Sequence, residues 1–138
     1  MIELKFSNLH QDGPSLNSTA ERLLRIVADL SINVDERLLY KETDVPIVEL
    51  AGQLWQWLKQ GEIRTDFSYE SMESDTPGLI SIKRGSGGWQ VGSVHQEYEE
   101  VRLWPLEDID RAVQNFLESV VGAARNQLAV DVHDIIKC

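Results

Sequence analysis

Arg25-Ile26-Val27-Ala28-Asp29-Leu30-Ser31-Ile32-Asn33-Val34 is the stretch that decides the fold. Ile26, Ala28, Leu30, Ile32 and Val34 fall on one side of it. Arg25, Val27, Asp29, Ser31 and Asn33 fall on the other. Five successive matches to a period of two specify a strand with one buried face. Asp35-Glu36-Arg37 is a short connection, and Leu38 to Thr43 returns, so the pair predicts a β-hairpin.

Upstream, Ile2, Leu4 and Phe6 alternate with Glu3, Lys5 and Ser7, which predicts a first strand over 2–7. Residues 10–19 are polar and contain Gly13-Pro14, the composition of a loop. Ala20 to Val27 opens with good helix formers before the period changes.

Downstream, Asp44-Val45-Pro46 marks a helix start, with Asp44 as the cap and Pro46 in the first turn. Ile47, Leu50, Ala51, Leu54, Trp55 and Leu58 recur at helical spacing, and Gly61 ends the run. Residues 66–72, 79–84 and 88–94 read as strands, with a further one over 97–103. Thr76-Pro77-Gly78 and Gly85-Ser86-Gly87-Gly88 are the turns between them. A second helix opens at Trp104-Pro105-Leu106-Glu107-Asp108, its first-turn acids suiting the helix dipole. Its apolar stripe is Ile109, Ala112, Val113, Phe116, Leu117, Val120, Val121 and Ala124. Val130 to Cys138 is mixed and is assigned no element. The expected class is α+β: a largely antiparallel sheet of about six strands with two main helices packed on it. The 138 residues are expected to form a single acidic domain, 1–138.

The net charge is −10, and its excess is spread along the chain rather than gathered in a tail. A field of that sign repels phosphate backbones, so no nucleic-acid partner is expected. It attracts basic proteins and speeds their encounter, and it also serves solubility alone. No apolar run reaches the ~18 residues of a membrane span, and no secretory signal opens the chain, so a cytoplasmic location is expected. The lone cysteine, Cys138, cannot form an internal disulfide and reads as an ordinary surface thiol.

Signatures of chemistry are sparse. The glycine-rich 85–88 stretch lacks the strand–loop–helix context and lysine of a phosphate loop. His10, His95 and His133 are scattered, so no metal site and no cofactor are expected. The densest polar cluster lies over 66–100: Asp66, Ser68 and Glu70 on one strand face, then Glu73 and Asp75, then His95, Glu97, Glu99 and Glu100. It admits a general base at His95, a carboxylate metal site, an acidic recognition face or a solvated sheet rim. Trp55 fits the helix stripe, whereas Trp57 lies off it. Trp57 is therefore either an exposed binding anchor or a residue packed under a loop.

Three blocks, Val48 to Leu58, Tyr69 to Gly78 and Trp89 to Glu97, resemble a family of small uncharacterised bacterial domains, which has no catalytic residues to transfer. In size, acidity and mixed fold the chain is also similar to the immunity proteins of bacterial toxin systems, including contact-dependent growth inhibition. That likeness implies an inhibitor that binds a cognate, basic toxin domain and is not an enzyme. The expected contact residues are Trp57, Asp66, Glu70, Glu73, Asp75, Glu97, Glu99 and Glu100. A small enzyme or ligand-binding domain around His95 is the alternative, and a homodimer is a third possibility.

Overall fold

A computed structural model describes residues 1–73 and 78–137. Strand β2 (Ile26–Val34) is the middle of a three-stranded antiparallel sheet, flanked by β1 (Ile2–Gln11) and β3 (Arg37–Pro46). The five apolar residues of its alternating face are all buried. The turn into β3 is only two residues, Asp35 and Glu36, with φ of 49° and 69°. Positive φ at both positions is the backbone of a type I′ turn, whose twist matches that of the flanking strands.

Both outer strands carry extra residues, one in β1 and two in β3, where Leu39 also falls outside the pairing. In β1 the register slips between Ser7 and His10, and Asn8 takes φ 55°. This bulge lets the strand continue to Gln11, beyond the point where alternation stops. A capping box then opens α1 (Thr19–Leu24): Ser18 Oγ accepts from the Glu21 N–H at 3.1 Å, and the Glu21 carboxylate accepts from the Ser18 N–H at 3.0 Å. In β3, Leu30 pairs with Glu42 but Ala28 pairs with Val45, which leaves Thr43 and Asp44 sharing one place, with Asp44 at φ 53°. Asp44 is thus the bulge residue and not a helix cap. Val45 and Pro46 still belong to the ladder, so α2 (Ile47–Leu58) starts only after Pro46, with no side-chain cap.

The later strands form a separate sheet, β4 (Phe67–Ser68), β5 (Ser81–Gly85) and β6 (Gly88–Gly92), also antiparallel. The expected single sheet of about six strands is therefore two sheets of three. Helix α2 intervenes between them, and its Trp57 ring meets Phe67 at 6.1 Å and Trp89 at 5.6 Å. The sheets are joined through side chains rather than through a shared ladder. The strand expected over 97–103 does not form. That segment ends instead in a single bridge, where Trp104 and Trp89 exchange backbone bonds of 2.8 and 2.9 Å. Gly88 permits this approach, because a Cβ there would lie 2.9 Å from the Trp104 carbonyl oxygen.

Helix α3 (Leu106–Leu128) packs on β1 and α2, burying Ile109, Val113, Phe116, Leu117 and Val120 of the expected stripe. Phe116 meets Phe6 edge-on at 6.0 Å. The short α4 (His133–Ile136) returns to α2, where Lys137 lies over the Trp55 ring. One contiguous apolar cluster runs from Ile2 to Ile136. No helix among the described residues is long and apolar enough to cross a membrane.

Arg64 fastens the end of α2 to α3. Its guanidinium donates to both Asp110 oxygens, at 2.9 and 3.3 Å, and lies 4.6 Å from the Trp57 ring centroid. Only 4% of its side chain is exposed. Arg64→Ala is expected to lower unfolding free energy by about 3 kcal/mol, because it strands Asp110 and opens the tryptophan face. Denaturant titration measures this; a loss below about 1 kcal/mol would class the pair with exposed ones.

Candidate functional site

The bulge in β3 leaves Thr43 and Asp44 exposed side by side. Glu42 and Asp44 form one wall of an open hollow of about 220 Å³, and Glu73, Tyr69, Ser71 and His95 form the other. No lysine or arginine lines it among the described residues. Arg25 reaches Glu73 at 3.8 Å, and His10 Nε2 stands 3.7 Å from Asp44.

The far wall is held by α2. Glu49 is only 4% exposed, and its two oxygens accept from the Tyr69 hydroxyl at 2.7 Å and the Met72 N–H at 3.0 Å. One turn on, Gln53 brackets Glu70, donating to its carbonyl at 2.6 Å and accepting from its N–H at 3.1 Å. Two side chains four residues apart share one helix face. Together they hold residues 70–72, beyond the backbone bond of the Tyr69 N–H to the Ile80 carbonyl at 2.9 Å. Burial pushes the Tyr69 hydroxyl well above the ordinary tyrosine range; the Ser71 hydrogen bond opposes this and Glu49 adds to it. Tyr40 is raised in the same way, by burial first and then by Glu42, to which its hydroxyl donates at 3.2 Å. Both phenols remain neutral donors beside carboxylates.

The expected contact residues separate. Trp57 is a core residue, 2% exposed, with its indole N–H donated to the Thr65 carbonyl at 2.7 Å, so it presents no anchor to a partner. The helix turns it, and not Trp55, toward the second sheet. Glu100 is 6% exposed and bonded to Arg102 Nε at 3.1 Å, which removes it from any acidic face. Asp66 is exposed, but one oxygen accepts from the Arg84 N–H at 2.9 Å. Glu70, Glu73, Glu97 and Glu99 are exposed, and of these only Glu73 lines the hollow. Asp75 and Cys138 lie outside the described residues.

His95 is exposed at the lip, and its own N–H is held by Ser93 Oγ at 3.1 Å. Among the described residues no carboxylate hydrogen-bonds its ring, and no three histidine, cysteine or carboxylate groups converge as metal ligands.

A family model described as "Domain of unknown function (DUF7878)" matches residues 2–123. The chain belongs to this family. The match runs from β1 through most of α3, so it takes in both sheets and both walls of the hollow and leaves α4 outside. No curated protein and no solved structure matches the chain. The family accords with the likeness to uncharacterised domains carried by the Val48, Tyr69 and Trp89 blocks.

Glu42, Asp44, Glu49 and Gln53 are the residues that periodicity alone does not single out. Glu49 and Gln53 carried a faint signal, two polar residues four apart inside an otherwise apolar helix. Glu49→Leu leaves the Tyr69 hydroxyl and the Met72 N–H unsatisfied. It is expected to cost about 2–4 kcal/mol and to expose the 69–73 segment to protease, with Glu49→Gln losing less. Denaturation and limited proteolysis of the two variants check this.

Arg102 holds the Glu100 carboxyl below the usual carboxylate value of 4.5. A depressed folded value stabilises the protein above the unfolded value and is lost as pH falls through the folded one. Glu100→Gln should therefore lower the urea midpoint at pH 6, and the gap to wild type should close in acid. A gap that persists at pH 2 would show that the ion pair is not its source.

Proposed function

We propose that this DUF7878 domain is a binding protein of the immunity type, taking a basic partner, a toxin domain, at the rim of its acidic hollow. The observation that carries this reading is the lining itself: Glu42, Asp44 and Glu73 around His95, with no basic residue among them. The net charge of −10 supplies a long-range field of the same sign, which accelerates encounter with a cation-rich surface. Glu70, Glu97 and Glu99, exposed but outside the lining, add carboxylates to the neighbouring chain segments. Tyr69 in the far wall is fixed by Glu49, so the rim is presented without a large ordering cost on binding.

The test is affinity capture from native cells, followed by association kinetics with the captured protein. The association rate is expected to fall at least about tenfold between low and high salt. A triple variant, Glu42→Gln, Asp44→Asn and Glu73→Gln, should slow association while leaving the melting temperature near that of wild type. A rate indifferent to salt would overturn the reading. Capture of no protein, together with retention of a small polar ligand, would favour the alternative of a ligand site at His95.

A further inference from the structure

The first strand has one side without a neighbour. β1 pairs only with β2, so its other edge is an edge of the sheet. The Met1 carbonyl accepts from the Asp35 N–H at 2.8 Å. Antiparallel ladders alternate, so the main-chain groups of Glu3 and Lys5 also face β2, and those of Ile2, Leu4 and Phe6 face outward. Outside the β1–β2 ladder, no backbone hydrogen bond reaches those three residues among the described ones. Three N–H and three C=O groups therefore stand in a regular row until the bulge after Ser7 ends it.

The same five residues are complementary to themselves. Aligned antiparallel on a second copy with Leu4 opposite Leu4, Glu3 faces Lys5 and Lys5 faces Glu3, while Ile2 faces Phe6. In this register the three outward residues form hydrogen-bonded pairs, giving six main-chain bonds. Glu3 and Lys5 occupy the non-bonded positions, where side chains approach most closely. A shift of two residues in either direction loses the reciprocal Glu3–Lys5 match. Beside the edge lies an open cleft of about 640 Å³, between β1 and the Asp108, Arg111 and Asn115 side of α3. Leu4 and Phe6, both half-buried, open into it and give the second copy's apolar residues somewhere to pack.

We infer that β1 is a homodimer interface, in which two copies pair edge to edge about a two-fold axis at Leu4 and merge their first sheets into one of six strands. An isologous contact of this kind closes on itself and does not propagate. It lies on the first strand and not on the walls of the acidic hollow, so it stands or falls separately from the proposed function. The two copies repel each other through their like net charge, which is screened beyond about 8 Å at physiological salt.

Sedimentation equilibrium at about 150 mM salt tests this over roughly 10–200 µM, the range suited to a small interface. Wild type is expected to pass from one chain to two across that range. Glu3→Lys and Lys5→Glu should each weaken association at least about tenfold, because each places like charges opposite one another twice. They move the net charge in opposite directions, so a general repulsion would weaken one and strengthen the other. An equimolar mixture of the two variants should recover the dimer, because every lysine then faces a glutamate. Wild type that stays a single chain throughout, or a mixture that stays unpaired, would overturn the assignment.

Discussion

Trp57 is the contact on which the arrangement of this chain depends. It is the last aromatic residue of α2, and it touches the aromatic residues of β4 and β6, the guanidinium of Arg64 and the carbonyl of Thr65. No ladder joins the two sheets, so the second is held to the rest by contacts such as these, together with the Glu49 and Gln53 bonds to residues 69–72. An aromatic pair beyond its buried area contributes about 1 kcal/mol, and here one ring takes part in two. Because the indole N–H is also satisfied, the residue is buried without a polar penalty.

A second theme is the use of charged side chains in place of secondary structure. Residues 60–73 and 93–104 hold little regular pairing, and side chains bind much of their backbone. Glu49 and Gln53 hold 69–72, Asp66 caps the end of β5, and Glu100 accepts from the Arg102 N–H. Part of the acidic excess is therefore committed to the interior or to local turns. The remaining exposed carboxylates lie on the β3 rim and the 70–73 and 97–99 segments, and also elsewhere on the surface, at Asp12, Glu36, Glu62, Glu118, Asp131 and Asp134 among others. Counting acids along the sequence overstates that surface, because it does not distinguish a carboxylate that closes a turn from one that faces water.

The regular elements were legible because their signals are periodic and dense. The β2 alternation, the return through β3 and the α3 stripe were all readable from spacing alone. What failed was competition between signals. Asp44 has the chemistry of a cap and also tolerates left-handed backbone, and the ladder through Val45 and Pro46 decided for the second. Trp57 lies two residues from Trp55 on a helix that packs on more than one side, so a single stripe accounts for Trp55, which packs against the core, and misses that Trp57 is buried as well. The 97–103 stretch has strand-like spacing but binds through Gln90, Leu39 and Glu100 instead. Of the site, Glu73 and His95 were anticipated. Their neighbours Glu42 and Asp44 come from a distant strand, a proximity that sequence order does not contain.

The doubled position at Thr43 and Asp44 has a further implication. On either side of it, Glu42 and Val45 stay in step with Leu30 and Ala28, so the interior sees the same phase whether one residue or two fills the gap. Chain length can change there without any apolar side chain exchanging sides. The kink separates what the packed interior requires from what the rim offers, so the acidic lip of this chain can change length while the scaffold beneath it stays unaltered.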